Sequence, residues 1–287
     1  MVLAEDDDVI AIAGDDDRIT VLPSRVEPDL AVLTTGAGET PAAERILVLG
    51  WNSRAPIIVK RLDEYVAPGS AVDIVESQPK GRLAAELKEQ LTNLAVTWKT
   101  GDPSHRAVLT KLALDSYDHV IVLAQAFEDQ AKDADTATLL TLVHLRDLAK
   151  KNGYRYSIVT EIEDIRNRHL AQRDSADDFI VSDEIVSLML AQVSEDPSLN
   201  EVLTGIFDAA GAEIYLRPAA TYVALGHEVT YATVVEAARR RGETAIGYRS
   251  GSHTRDMAQN YGLHLNPPKL DARRWTHHDR IVVLAGS

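Results

Sequence analysis

Apolar runs and amphipathic stretches alternate along residues 45–160. Residues 45–50 (RILVLG) form a continuous apolar strand, and residues 55–67 carry Ile57, Ile58, Leu62, Tyr65 and Val66 at helical spacing until Pro68-Gly69 stops them. Residues 71–76 (AVDIVE) read as a second strand. A helix follows over 79–91 with Pro79 in its first turn, then a strand over 94–98. The alternation continues with a helix over 104–114, a strand over 119–124, a helix over 135–150 ended by Asn152-Gly153, and a fifth strand over 156–160. Strands without polar alternation, separated by helices, predict a parallel sheet covered on both faces with right-handed crossovers. The predicted class is a Rossmann-like, doubly wound α/β domain.

On either side the pattern changes. Residues 9–13 and 18–22 flank the turn Gly14-Asp15-Asp16-Asp17 as a hairpin, too small to be stable alone and so read either as the tail of a preceding domain or as a piece that docks on the body. Residues 23–44 hold three prolines, two glycines and no apolar period, which reads as a linker. After Phe179-Ile180-Val181 a helix over 183–193 has apolar residues at Ile185, Val186, Leu188, Met189, Leu190 and Val193. That stripe is too wide for one face, so burial on several sides is expected. It fits either the central helix of its own domain or a crossover helix packed on a second copy. Pro197 interrupts it, a helix over 198–209 follows, and strands near 213–216, 245–249 and 280–285 with a helix over 231–241 make a small α+β lobe. The expected organisation is a hairpin at 1–22, a linker at 23–44, a Rossmann-like lobe at 45–181, crossover helices at 182–210 and a C-terminal lobe at 211–287.

Candidate chemistry gathers at the carboxyl edge of the parallel sheet. The turn Gly50-Trp51-Asn52-Ser53-Arg54-Ala55 fills the first and third positions of a dinucleotide fingerprint with Gly50 and Ala55. The second glycine is replaced by Asn52, whose side chain is expected to intrude on a diphosphate. Glu76 stands where a ribose-binding acid belongs, and Gly101-Asp102 and Ala124-Gln125 follow the third and fourth strands. Carboxylates at the same edge, among them Asp129, Asp133, Asp135 and Glu161, suggest a cation such as Ca2+, although their spacing is not that of an EF-hand. Against this stand a nucleotide (NAD- or ATP-like) ligand and an emptied scaffold. No nucleophile elbow, zinc-protease motif or lysine-bearing phosphate loop occurs, and no base for hydride transfer can be identified, so no catalytic residue is assigned. The pair His277-His278 would point to opposite sides of a strand.

Composition narrows the partners. With 44 acidic and 30 basic side chains the net charge is −14, a field that repels phosphate backbones and argues against nucleic acid. There is no cysteine, which excludes disulfides and thiolate sites and suits the cytosol. The start of the chain resembles neither a signal nor a transit peptide, and no apolar run reaches membrane-spanning length.

Several longer stretches resemble one family. VLGWNSRAP with VAPGS, LALDSYDHVIVLA, DTATLLTLVHLRDL, DDFIVSDEIVSLMLAQVSEDPSLNEVLTGIF, AIGYR and NPPKLDARRWTHHDRIVVLAGS are similar to the cytosolic part of the CASTOR/POLLUX ion channels, specifically their second regulator-of-conductance (RCK) domain. The resemblance covers residues 45–287, and the hairpin looks like the closing strands of the preceding RCK domain. It implies a non-enzymatic gating-ring domain on the cytosolic face of a cation channel. Such domains pair through crossover helices and C-terminal lobes, lie below an upstream RCK domain and transmembrane pore, and respond to calcium or nucleotides by shifting between ring conformations. Two other readings remain: an NAD(P)-binding oxidoreductase, and a stand-alone TrkA-like regulatory subunit of potassium transport.

Overall fold

The computed structural model describes residues 10, 12, 26–34, 42–78, 81–125, 134–167, 170, 178–208, 211–254 and 256–286; the expected hairpin falls almost wholly outside them. Two compact units are present, one formed by residues 40–202 and the other by 1–39 together with 203–287.

The first unit is built on six parallel strands in the order β3-β2-β1-β4-β5-β6. These are β1 (Arg45–Leu49), β2 (Ser70–Glu76), β3 (Leu94–Thr100), β4 (His119–Val122), β5 (Ser157–Ile162) and β6 (Asp178–Val181). The sixth strand adds to the five that apolar runs predict. Alternation along β1 sends Ile46 and Val48 to one face and Leu47 and Leu49 to the other, and all four are buried. Helices α1 (Ala55–Tyr65) and α2 (Gly81–Glu89) cover the first face through Val59 and Leu87. The other is covered by α3 (Arg106–Leu109) and α4 (Ala134–Asn152) through Leu109, Leu142, Leu145 and Leu148.

One predicted helix is much shorter than expected. Over residues 104–114 only α3 is α-helical, and the backbone at Ala113 leaves the helical region (ψ 69°). Leu109 and Leu114 both enter the core, yet residues five apart on a continuous helix point about 140° apart, so the chain must unwind between them.

After β6 the chain forms α5 (Ser182–Glu195) and α6 (Leu199–Ile206), and the division between the units falls within α6. Expected burial of α5 on several sides is not met within one chain: Ile185, Val186, Leu188 and Leu190 are 47–63% exposed.

In the other unit, a four-stranded antiparallel sheet has the order β10-β9-β12-β7, made of β7 (Ala212–Pro218), β9 (Thr244–Arg249), β10 (Leu263–Leu265) and β12 (Arg280–Gly286). A second, two-stranded sheet pairs β8 (Glu228–Thr230) with β11 (Ala272–Arg274), and α7 (Tyr231–Arg239) packs against β9. Tyr222, Tyr231 and Trp275 are the largest buried side chains of its core. Part of the expected linker belongs to this unit. Val32 and Leu33 pack on that core, Leu33 bridges Val223, and backbone bonds run from Thr34 N to Tyr222 O (3.1 Å) and from Ala224 N to Val32 O (2.8 Å). His277 and His278 lie in a turn before β12 with ring centroids 3.7 Å apart, not on opposite sides of a strand.

Candidate functional site

The sheet order reverses between β1 and β4, and the loops at the carboxyl ends of those strands frame the crevice where ligands of open α/β sheets bind. Gly50 turns the chain out of β1 with φ +89°, a value that favours glycine, while its N–H donates to Val75 O at 2.9 Å. A side chain there would meet Leu123 O at 2.7 Å and Gln125 Cγ at 2.9 Å. Ala55 is fully buried at the start of α1, allowing the close helix–strand approach that its fingerprint position requires.

Asn52 is turned inward. It is 8% exposed, and its Nδ2 donates to Ala124 O and to Glu161 Oε2, each at 2.8 Å. Its Oδ1 accepts from the backbone N–H groups of Arg54 (3.0 Å) and Ala55 (3.1 Å). These are first-turn amides of the kind a helix N-terminus offers to a phosphate. The turn therefore keeps the shape of a dinucleotide site while its own asparagine takes the donors. A diphosphate seated there has to displace Asn52, so the residues present do not fit a dinucleotide in the usual pose.

Glu161, at the end of β5, collects four donors while only 8% exposed. Oε2 accepts from Asn52 Nδ2 and from Ala124 N (3.1 Å). Oε1 accepts from Ser182 Oγ at 2.9 Å and pairs with Arg54 Nε at 2.8 Å. Arg54 also reaches Glu163 at 3.1 Å. One carboxylate thus joins the β1 turn, the end of β4 and the first residue of α5.

The remaining candidates spread along the same edge. Glu76 is 6% exposed at the end of β2, and its carbonyl accepts from Gly101 N at 2.9 Å. Asp102 caps the next turn, its Oδ1 accepting from Ser104 N (2.9 Å) and Ser104 Oγ (2.7 Å). Among the proposed cation ligands, Asp129 and Asp133 lie outside the described residues. Asp135 is 1% exposed and accepts from Glu163 N (2.8 Å), Asp164 N (3.0 Å) and Asn167 Nδ2 (2.7 Å), which makes it a clamp on the loop after β5. Among the described residues no three His, Asp or Glu side chains are grouped to hold a metal ion. Sequence reasoning missed Arg54 and Ser182. Nothing local marks either, because their partner Glu161 is distant in the chain.

Residues 46–182, which hold the parallel sheet and its switch-point turn, match the TrkA-N domain family model. In fold, the chain is similar to the human SLO3 gating ring, with a TM-score of 0.56 at 13% identity, covering 85% of this chain and 44% of that one. The chain is a homologue of the CASTOR and POLLUX ion channels over nearly its whole length. It is 30% identical over 320 aligned residues to a probable ion channel CASTOR of Oryza sativa subsp. japonica, covering 99% of this chain and 35% of that protein. Identity to the ion channel CASTOR of Lotus japonicus is 29% over 323 residues, covering 99% and 36%, and to a probable ion channel POLLUX of Arabidopsis thaliana 28% over 324, covering 100% and 38%. The chain spans about a third of the length of these relatives. Among the described residues no helix is long and apolar enough to cross a membrane.

Proposed function

We propose that this chain is a cytosolic gating-ring domain of a cation channel, which regulates conduction by favouring one ring conformation over another and catalyses no reaction. The observation that carries the proposal is the run of apolar side chains Ile185, Val186, Leu188 and Leu190, 47–63% exposed along the single helix α5. Such a row on a single helix is stabilised when a second copy covers it. Homology with the CASTOR and POLLUX channels supports reading that contact as ring assembly, continued through the C-terminal lobe and joined to an upstream RCK domain and a pore.

A ring that senses a ligand needs that ligand to bind its two conformations unequally. The carboxyl edge of the parallel sheet is the place for it, bounded by Gly50, Asn52, Ala55, Glu76, Gly101 and Asp102, with Asp135 and Glu161 beside them. The occupied amides of Arg54 and Ala55 weigh against NAD in that edge.

Sedimentation velocity tests assembly. The wild-type chain is expected to self-associate at tens of micromolar, and Leu188→Glu with Leu190→Glu is expected to yield a folded monomer. A wild-type monomer at that concentration overturns the assembly reading. Thermal unfolding with Ca2+, NAD and ATP in parallel tests sensing, since a ligand at 100 times its Kd adds about 2.7 kcal/mol to stability. No shift with any of them removes sensing from this chain and leaves it a structural member of the ring.

A further inference from the structure

We propose that Asn52 and Glu161 fill the diphosphate seat of the Rossmann cleft from within and latch the nucleotide-type turn to α5. The protein's own side chains, in place of a bound dinucleotide, then set how firmly α5 is seated. The inference rests on the gating-ring reading only for what α5 does once seated.

The two carboxylate oxygens of Glu161 divide the work. Oε2 faces the cleft, taking Asn52 Nδ2 and the amide of Ala124 at the end of β4. Oε1 faces α5, taking the hydroxyl of Ser182, with Arg54 Nε on the same oxygen. Asn52 is one carboxylate away from α5. Hydrogen bonds to a buried charged group are the stronger kind, and removing one member of such a network leaves the others facing an unsatisfied partner. The side chain of Asn52 therefore has two effects. It silences the two first-turn amides that would cradle a phosphate, and it holds Glu161 in the position from which Ser182 is bound. At the other end of the latch, the first turn of α5 leads directly into the exposed row beginning at Ile185. A signal that rearranges the β1 turn has a short, polar route to the helix, buried from Asn52 to Glu161 and half-buried at Ser182.

Hydrogen–deuterium exchange on the full chain tests the latch. Asn52→Ala is expected to speed exchange in the first two turns of α5 about tenfold, the worth of one charge-assisted hydrogen bond in a local opening equilibrium. Because coupling is reciprocal, Ser182→Ala, which removes only a hydroxyl, is expected to speed exchange of the Arg54 and Ala55 amides as well. Faster exchange confined to residues 50–55 in Asn52→Ala, or confined to α5 in Ser182→Ala, overturns the latch. Titration calorimetry with NAD tests the filled seat: the wild type is expected to give no binding below millimolar concentration, and a micromolar Kd overturns it. If Asn52→Ala does not fold, Ser182→Ala and the wild-type titration still decide both halves. Repeating the exchange at low and high protein concentration separates this proposal from assembly. Wild-type α5 exchange that is independent of concentration sinks self-association, whereas the latch is read from variant against wild type at equal concentration.

Discussion

Asp63, in the last turn of α1, accepts from the backbone N–H of Leu94 at 2.7 Å and so fixes the start of β3. The same carboxylate takes the amides of Asn93 (2.7 Å) and Thr92 (2.9 Å), while Asn93 Nδ2 returns a bond to the Asp63 carbonyl at 2.7 Å. An acidic side chain near a helix C-terminus is disfavoured by the helix dipole, so its presence there is explained by the three loop amides. Asp63→Ala is expected to destabilise the first unit by about 2–4 kcal/mol and Asp63→Asn by roughly half as much, since asparagine keeps one acceptor oxygen. Urea unfolding followed by Trp51 and Trp98 fluorescence in a Trp275→Phe background checks this, and equal losses in the two variants would show that charge matters more than acceptor geometry.

Gly50 sits at φ +89° with the Leu123 carbonyl 2.7 Å from where a Cβ would stand. Gly50→Ala adds both left-handed backbone strain and a clash with main chain that cannot rotate away. A loss of about 1–3 kcal/mol is expected, again in the first unit. A variant as stable as the wild type would mean that the end of β4 shifts freely and that the cleft is not rigid at this turn.

How much of this was legible in the sequence follows from where each signal lies. Strands β1, β2, β4 and β5 are largely buried and announce themselves as apolar runs, and β3, at the sheet edge, opens on the apolar stretch Leu94-Ala95-Val96. The short strands β6, β8, β10 and β11 are three or four residues each and carry no period to detect. Gly50 and Ala55 were readable because the fingerprint is local. The orientation of Asn52 was not, for it depends on Glu161, 109 positions away, and a carboxylate in an acidic loop looks like a cation ligand until its donors are seen. Asp135 misleads in the same way, since its partners are two amides and an amide side chain of the loop after β5. On α5 the wide apolar stripe predicts burial, and periodicity does not say whether the cover comes from the same chain.

Asp73 in β2 supplies a pH test. Burial raises its pKa, but hydrogen bonds from Tyr117 and Lys99 and the charges of Lys99 and Arg45 outweigh burial and hold the carboxyl below its ordinary value. Lys99 Nζ lies 2.9 Å away and Arg45 3.5 Å. A depressed folded pKa means that the contribution is fully present above the unfolded value of about 3.9 and is lost as pH falls through the folded one. Wild-type stability is therefore expected to fall more steeply below about pH 4 than that of Asp73→Asn, which should be less stable at pH 7. Parallel acid limbs in the two proteins would remove Asp73 from the acid sensitivity of the fold.

Residues 29–34 supply the last test, because a segment ahead of the Rossmann-like lobe in sequence is part of the unit that follows it. Asp29 N donates to Thr233 Oγ1 at 3.0 Å, Thr34 Oγ1 donates to Ala220 O at 2.8 Å, and Val32 and Leu33 sit against the core that holds Tyr222 and Trp275. Two backbone bonds, two side-chain bonds and two partly buried aliphatic side chains are together worth about 3–5 kcal/mol. A chain lacking residues 1–34 is expected to lose protection from hydrogen exchange across β7, β9 and β12 while β1 to β5 keep theirs. A peptide of residues 26–36 added in trans should restore part of it, as the contacts are local to that surface. Uniform loss across both units would mean that the segment stabilises the chain globally, and no loss would mean that the C-terminal core closes without it. If the selective loss is found, any pull on the chain ahead of residue 26 acts on the C-terminal core before it reaches the cleft and its turn.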